Sequence, residues 1–342
     1  MASIVTHWPM EALMRHIFLF SALLFACGEA DDNTSDTAGT TTDATNTETT
    51  NGNGGDGGDG GNGGQTGTTG SGGVDYEVDP DVQTYVPDSF PPVNPVRIVF
   101  MGDSITAGAG ASGSEPYTSL LMENDPGDWP DHMEEDLKTV YPSVTEVINL
   151  GTGGATTTSM KNNQMPELQE ILSPPVAGET IVVFTIGGND LQTALTPFSD
   201  PESIATRALN NIEEMVQTLT SDSVFPDGVF VYMTNVYEPS DGTGKSSCFF
   251  GVDYSSKLHY LDVYNGALIK MGIQYGFSAV DLRGHFLGHG MNNDDSSLDI
   301  HHPDDPSRWF AGDCIHPNAR GHHELRRLLV AAIRDMPLAL EP

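Results

Sequence analysis

Residues 96–108 read VRIVFMGDSITAG, and the fold is decided by this stretch. An apolar run over residues 96–101 ends at Gly102, and Asp103 and Ser104 follow directly. A run this apolar is typical of a strand buried on both faces, as in a parallel sheet. Residues that directly follow such a strand lie at the carboxyl edge of the sheet, where α/β folds bind their ligands.

Four further apolar runs along the chain predict four more strands. They cover residues 145–150, 180–186, 229–236 and 277–282. Amphipathic patterns predict helices over residues 202–220, 257–276 and 318–336. Strands that alternate with helices predict an α/β fold, in which right-handed crossovers build a mostly parallel five-stranded sheet.

The charge balance excludes some classes of partner. The chain has 48 acidic and 14 basic side chains, which gives a formal net charge of −34. Nucleic-acid binding is excluded because it needs basic residues that replace the counterions of the phosphates. Direct docking of the protein surface on anionic lipid is disfavoured because such lipid attracts basic segments and repels an acidic surface. Three cysteines are too few for a disulfide framework or a four-cysteine zinc site.

The N-terminus predicts export. Residues 1–26 are predicted to be a signal peptide, because Arg15 precedes an apolar run over residues 17–26 that is too short to span a bilayer. Residues 24–27 read LFAC and resemble the bacterial lipobox, which implies that Cys27 becomes the first mature residue and is lipidated. The alternative is an ordinary signal peptide and plain secretion.

Residues 27–75 are predicted to be a disordered linker. Between residues 28 and 73 there is no lysine, arginine or aromatic residue, and glycine and threonine dominate. Such a segment cannot bury enough apolar surface to offset the entropy of ordering it. Calcium binding by its Gly-Gly-Asp repeats is the alternative to a solvated tether. The folded domain is predicted over residues 76–342.

Four sequence blocks follow the predicted strands or precede the last helix. They are GDSITAG at 102–108, NLGTGGATT at 149–157, GGND at 187–190 and DCIHPN at 313–318. In this order and spacing they resemble the SGNH (GDSL) hydrolase family over residues 96–337. The resemblance implies a flavodoxin-like three-layer α/β/α domain and ester hydrolysis by a serine nucleophile, with no cofactor.

The residue types also fit this chemistry when they are considered separately. Acyl transfer needs a nucleophile, a base, a group that orients the base, and donors for the oxyanion. Ser104 stands where a nucleophile is presented at the edge of the sheet. Pro317 keeps His316 out of the last helix, and Asp313 lies three residues back, within reach of Nδ1 of His316. We therefore predict a triad of Ser104, His316 and Asp313.

The oxyanion donors are predicted at three places. The backbone N–H of Ser104 is one, and the side-chain amide of Asn189, which donates without titrating, is another. The family pattern selects the backbone N–H of Gly154, whereas Gly151 and Gly153 remain alternatives.

The motifs determine the type of reaction more closely than they determine the class of substrate. Export on a long tether favours esters with small acyl groups or carbohydrate O-acetyl esters. A lipase or lysophospholipase would carry the same motifs, and a surface binding module without turnover is a third possibility. We expect a monomer that contacts a membrane only through its lipid anchor.

Some weaker features have two interpretations each. Cys248 and Cys314 form a disulfide that braces the block at 313–318, or they are separate thiols. His301 and His302 with neighbouring aspartates bind a metal, or they belong to a solvated acidic loop, and we expect no metal site.

Two pairs of residues near the last block are open in the same way. Trp309 and Phe310 line the substrate pocket or pack in the core. His322 and His323 are expected to pack or to cap the last helix.

Overall fold

The computed structural model describes residues 92–334, except for 114, 133–134, 176, 197–198, 222 and 246–252. These residues belong to a single unit, Ser71–Pro342. The predicted signal peptide with Cys27, the predicted linker over residues 27–75, and Cys248 lie outside the described residues.

Within the described part of the chain, five strands form one sheet in which every pairing is parallel, so the predicted α/β fold class is confirmed. Across the sheet the order is β2-β1-β3-β4-β5. The strands are β1 (Arg97–Gly102), β2 (Glu146–Asn149), β3 (Thr180–Thr185), β4 (Val229–Thr234) and β5 (Ser278–Val280). The central strands β1 and β3 are buried along their whole length, as their apolar sequences predict.

Nine α-helices can be distinguished among the described residues. The first four are α1 (Tyr117–Met122), α2 (Leu137–Val140), α3 (Thr157–Ser159) and α4 (Met165–Ile171), and a π-helical turn, Met160–Gln164, joins α3 to α4. The others are α5 (Gly188–Ala194), α6 (Pro201–Leu219), α7 (Leu258–Tyr275), α8 (Leu282–Phe286) and α9 (Ala319–Ile333). Short 3-10 turns cover Pro130–His132 and Ser255–Lys257.

The sheet separates two hydrophobic cores, which gives the predicted three layers. Because side chains alternate along a strand, Val99 and Met101 of β1 enter one core while Ile98 and Phe100 enter the other. The first core is closed by α4, α6 and α7, and the second by α1, α8 and α9.

The three predicted helices are present, with ends that differ by a few residues at most. Helix α6 begins where Asp200 accepts a hydrogen bond from the backbone N–H of Ser203 and Pro201 takes the first helical position. Helix α7 ends at Gly276, which adopts a left-handed conformation with φ of 71°. None of the helices in the described part of the chain is long and apolar enough to cross a membrane.

Candidate active site

Ser104 lies on a tight turn directly after β1. The turn is anchored because the N–H of Asp103 donates to the carbonyl of Thr185 on β3, at 3.0 Å. Within the turn, Oδ1 of Asp103 accepts a hydrogen bond from the N–H of Ile105 at 3.0 Å. Only glycine suits the position before it: Gly102 has φ of 145°, and a Cβ there would stand 2.3 Å from the carbonyl oxygen of Thr185.

Gln164 holds the end of β1 from the other side. This side chain is buried, and it both accepts from the N–H of Gly102 (2.9 Å) and donates to the carbonyl of Gly102 (2.7 Å). The backbone that carries Ser104 is therefore fixed through an amide that belongs to the π-helical turn. Gln164 is not among the predicted site residues, because no motif in the sequence marks it.

The structure brings together Ser104, His316 and Asp313, the three residues of the predicted triad. Nε2 of His316 lies 2.7 Å from Oγ of Ser104, and Nδ1 of His316 lies 2.5 Å from Oδ2 of Asp313. The other carboxylate oxygen of Asp313 accepts from the backbone N–H groups of Ile315 and His316, each at 3.0 Å. With Nδ1–H donated to Asp313, Nε2 presents its lone pair to the hydroxyl of Ser104.

The loop over residues 313–318 is held at both ends. Asn318 caps α9 by accepting from the N–H of Gly321 at 2.9 Å, so His316 stands outside the helix, as Pro317 predicts. The hydroxyl of Tyr237, which is half-buried, donates to the carbonyl of Ile315 at 2.6 Å. Cys314 is disulfide-bonded and has a left-handed φ of 62°. Its pairing with Cys248 stays a prediction, because Cys248 lies outside the described residues.

Two carboxyl groups near His316 have pKa values displaced in opposite directions. Burial alone would raise the pKa of Asp313, but hydrogen bonds from the side chain of His316 and from two backbone N–H groups outweigh it and lower the pKa to about 2. Burial dominates at Asp103 and raises its pKa to about 7, although the N–H of Ile105 and the charge of His316 act against this.

Asn189 enters the site from the first turn of α5. Its Nδ2 donates one hydrogen to the carbonyl of Ala155 at 2.9 Å, which fixes the orientation of the amide group. An amide nitrogen carries two hydrogens, so the second is available to a ligand. Asn189 and Ser104 both line the cavity described below.

The glycines of the second block differ in their surroundings. Gly154 is half-buried, has φ of 75° and immediately precedes Ala155. Gly151 packs closely against the nucleophile turn, since a Cβ there would stand 2.7 Å from the N atom of Ala107. Gly153 is exposed, with nothing described within 4 Å of such a Cβ. The donor role of Gly154 stays a prediction, and its placement beside Asn189 is compatible with it.

A cavity of about 120 Å³ opens beside Ser104, His316 and Asn189. Its walls come from α5, from the first turns of α6 and α7, and from the segment after β4. The apolar side chains on these walls include Ile105, Ile186, Leu191, Leu195, Val236 and Leu258.

The charged groups on the cavity wall are engaged by their own chain. The ammonium of Lys257 donates to the carbonyls of Ala194 (3.0 Å) and Thr196 (2.7 Å) at the carboxyl end of α5. The carboxylate of Glu238 accepts from the N–H of Ser240 (2.7 Å) and the hydroxyl of Tyr254 (3.1 Å). The cavity therefore offers a mostly apolar surface to a ligand.

The remaining predicted features lie outside the cavity beside Ser104. Trp309 and Phe310 are buried and do not line the cavity, and Trp309 stacks on His289 with ring centroids 3.6 Å apart, so packing is their role. His322 and His323 are buried, as expected.

The histidine pair at 301–302 is engaged with the backbone. Nδ1 of His301 lies 3.0 Å from the carbonyl of Asn293, and Nε2 of His302 lies 3.2 Å from the carbonyl of Leu287. Within the described residues, no group of three or more histidine, cysteine, aspartate or glutamate side chains is arranged to hold a metal ion.

Comparisons with solved structures and with family models show what the chain is similar to. Solved structures similar to the chain include an alpha/beta hydrolase enzyme from the metagenome of Lake Arreo, Spain, with 20% identity, a TM-score of 0.45 and coverage of 71% of this chain and 96% of that one. An acetyl xylan esterase from Geobacillus stearothermophilus has 18% identity, a TM-score of 0.45 and coverage of 72% and 98%. A putative acylhydrolase from Bacteroides fragilis has 19% identity, a TM-score of 0.42 and coverage of 72% and 89%.

A search of curated proteins finds no match. The model of the GDSL-like lipase/acylhydrolase family, in contrast, matches residues 100–324, which is more than half of the chain. The matched range includes all four sequence blocks, and it confirms the resemblance that these blocks carry. The chain therefore belongs to the GDSL-like lipase/acylhydrolase family of ester hydrolases.

Proposed function

We propose that this protein is a serine hydrolase that cleaves carboxylic esters through an acyl-enzyme. The observation that carries the proposal is the position of His316, with Nε2 at 2.7 Å from Ser104 and Nδ1 at 2.5 Å from Asp313. A nucleophile, a base and a group that orients the base stand in line, as acyl transfer requires.

The acylation step follows from this arrangement. Nε2 of His316 takes the hydroxyl proton of Ser104 while Oγ attacks the ester carbonyl, and the carbonyl oxygen becomes an oxyanion. The N–H of Ser104, the N–H of Gly154 and the second amide hydrogen of Asn189 donate to that oxyanion. Asp313 stays ionised and stabilises the imidazolium that forms on His316.

Collapse of this tetrahedral intermediate breaks the C–O bond to the alcohol. His316 returns its proton to the departing alkoxide oxygen, so that the alcohol leaves neutral and the acyl group stays on Ser104. Water then attacks the acyl-enzyme with His316 as base, and the acid leaves as Ser104 regains its proton. The proposed sequence of steps needs no cofactor.

The identity of the acyl group of the substrate is the more specific part of the proposal. The preference for small-acyl or carbohydrate O-acetyl esters rests on the sequence and stays a prediction. The apolar cavity beside Ser104 supports a second candidate, an ester with an alkyl acyl chain of several carbons, because burial of each CH₂ contributes about 0.8 kcal/mol.

A p-nitrophenyl ester series from acetate to palmitate separates the two candidates. A maximum of kcat/KM at acetate supports the small-acyl substrate, whereas a maximum at longer chains supports an alkyl chain in the cavity. Leu258 is half-buried on the cavity wall, so Leu258→Trp fills the cavity from its edge. In the second case this variant should move the maximum to shorter chains and leave acetate hydrolysis unchanged.

A fluorophosphonate probe tests the reaction class independently of the substrate. The proposal expects one covalent adduct, which peptide mapping places on Ser104, and no adduct on Ser104→Ala. A folded wild-type protein that remains unlabelled would favour the binding module without turnover.

We further propose that the protein is exported and anchored through Cys27. The support is the apolar run over residues 17–26 and the lipobox-like LFAC. In a bacterial host, an alkyne-tagged fatty acid should label the wild type but not Cys27→Ser. Unlabelled wild-type protein in the medium would instead indicate plain secretion.

A further inference from the structure

Asp190 is a buried carboxylate that the proposed mechanism does not use. It directly follows Asn189 in α5 and is only 3% exposed. Its Oδ2 accepts from the N–H of Thr157 at 2.8 Å, and its Oδ1 accepts from the hydroxyl of Thr157 at 3.0 Å. Thr157 is the first residue of α3, three positions after Gly154.

The direction of these hydrogen bonds is set by a third residue. Nδ2 of Asn211 on α6 donates to the hydroxyl oxygens of Thr157 (3.2 Å) and Thr158 (3.0 Å). A hydroxyl group has one hydrogen, and that of Thr157 is directed to Asp190 while its oxygen accepts from Asn211. Both oxygens of Asp190 therefore face donors.

Both side-chain atoms of residue 190 that face Thr157 must therefore be hydrogen-bond acceptors. Burial raises the pKa of Asp190, and the two hydrogen bonds from Thr157 and the charge of Arg207 act in the opposite direction. An asparagine has only one acceptor oxygen, so its NH₂ group would have to face the hydroxyl of Thr157, and the hydrogen of that hydroxyl would lose its acceptor.

The contact joins the two segments that carry predicted oxyanion donors. Three hydrogen bonds link them: two from Thr157 to Asp190, and one from the amide of Asn189 to the carbonyl of Ala155 at 2.9 Å. Gly154 immediately precedes this bridge on one segment, and Asn189 belongs to it on the other.

We infer that Asp190 is a positioning residue that sets the separation of the Gly154 N–H and the Asn189 amide by holding Thr157. This inference rests on the proposed function, since it assigns Asp190 to the oxyanion site of that reaction. Donors to an oxyanion act at about 2.7–3.1 Å from it, and a misplacement of about 1 Å is expected to cost up to about 100-fold in rate. Asp190 contacts Thr157 and does not line the cavity beside Ser104.

The first test compares three variants in the purified protein. Asp190→Asn and Thr157→Val each remove one part of the bridge. Asp136→Asn is the matched control, because Asp136 is also buried and caps a helix (α2) outside the site, where asparagine caps equally well. Saturation curves with p-nitrophenyl butyrate give kcat and KM, and thermal unfolding shows that each variant is folded.

We expect Asp190→Asn and Thr157→Val to lower kcat by about 10- to 100-fold with KM changed by less than about threefold, because the oxyanion forms only after binding. Asp136→Asn should keep the kcat of the wild type. A folded Asp190→Asn variant with kcat within about twofold of the wild type would overturn the inference.

A double-mutant cycle distinguishes positioning from a general structural role. If Asp190 acts through the oxyanion donors, Asp190→Asn should lower kcat/KM by a smaller factor in the Asn189→Ala background than in the wild type. An equal factor in both backgrounds would contradict the inference. If the wild-type protein shows no Ser104-dependent hydrolysis, the proposed function is refuted instead. The two failures are therefore distinguishable.

Discussion

Nε2 of His316 lies 2.7 Å from Oγ of Ser104, although the two residues are 212 positions apart in the chain. The packing of α9 brings them together. His322 in α9 is fully buried, and burial lowers its pKa to about 4, so the ring is neutral at pH 7. Its Nε2 donates to the carbonyl of Ala109 (3.0 Å), and its Nδ1 accepts from the N–H of Tyr117 (3.2 Å).

This contact ties the helix that follows His316 to the turn that carries Ser104. The N–H of Ala109 donates to the carbonyl of Ser104 at 2.9 Å, so a continuous chain of hydrogen bonds runs from α9 to the nucleophile. The alignment of base and nucleophile is thus a property of tertiary packing and not of either local motif.

Asp313→Asn should lower kcat by about 10⁴-fold while the protein stays folded. The oxygen Oδ1 of Asp313 accepts from two backbone N–H groups, so an asparagine would keep its oxygen there and place its NH₂ against Nδ1 of His316. Nδ1 would then have to accept, Nε2 would carry the hydrogen, and the base would be lost. Hydrolysis of p-nitrophenyl butyrate measures the effect, and a loss below about tenfold would exclude Asp313 as the orienting group.

Asn189→Ala should lower kcat by about 10²- to 10³-fold with little change in KM. The amide is held by the carbonyl of Ala155, so its second hydrogen is preorganised for an oxyanion that forms only after the substrate binds. Steady-state kinetics separates the two parameters. A variant that raises KM and keeps kcat would show that Asn189 binds the ground state and does not stabilise the oxyanion.

Gly110→Ala should lower kcat by displacing His316. Gly110 has φ of 94°, and a Cβ there would stand 2.1 Å from the carbonyl oxygen of Pro317 and 2.8 Å from Cβ of His316. The control is Gly113→Ala, because Gly113 also has a positive φ (58°) but its Cβ would meet no described atom within 4 Å. Both variants place a non-glycine residue at positive φ, but 58° lies within the left-handed region that other residues adopt, whereas 94° lies beyond it. Gly110→Ala therefore adds greater backbone strain to the clash with the His316 loop.

We expect a loss of at least about tenfold in kcat for Gly110→Ala and nearly wild-type kcat for Gly113→Ala, since an error of about 1 Å in a catalytic group is costly. Equal activities of the two variants would show that the His316 loop adjusts to the added methyl group without cost.

Asp103 should make the stability of the protein fall as the pH rises from about 4 to about 7. Burial raises its folded-state pKa from 3.8 to about 7, so the folded protein binds more protons than the unfolded chain between these values. Its contribution is complete below about pH 4 and is lost as the pH rises through 7. The ionisable groups near it are His316 and the hydroxyls of Tyr117, Tyr237 and Tyr264.

Urea unfolding of wild type and Asp103→Asn at pH 5 and pH 8 measures this effect. The free energy of unfolding should decrease from pH 5 to pH 8 by a few kcal/mol more in the wild type than in the variant, which has no charge to bury. Comparison of the two pH values removes any cost of the substitution that does not depend on pH. Parallel changes in both proteins would refute a raised pKa at Asp103.

Much of the fold was predictable because the central strands are buried on both faces. The run over residues 96–101 is apolar except for Arg97 and ends at Gly102, and β1 is found there. In the last block, Pro317 indicated that His316 precedes the helix, and the structure places it there.

The parts that were not predicted depend on contacts distant in sequence. The helical segment from Thr157 to Ile171 contains a π-helical turn followed by Pro166, and its periodicity therefore resembles no regular helix. Gln164 binds Gly102, 62 positions away, and Asp190 binds Thr157, 33 positions away. Asp190 stands inside the GGND block, so its proximity to Asn189 was the one available signal.

The most direct test of the account is the initial rate of p-nitrophenyl butyrate hydrolysis by the purified protein, with Ser104→Ala measured in parallel. The account predicts saturable hydrolysis by the wild type and a loss of at least about 10⁴-fold in kcat for the folded variant, since the nucleophile is removed. Equal rates for wild type and Ser104→Ala, whether both are high or both are at the buffer level, would contradict Ser104 as the nucleophile of an ester hydrolase.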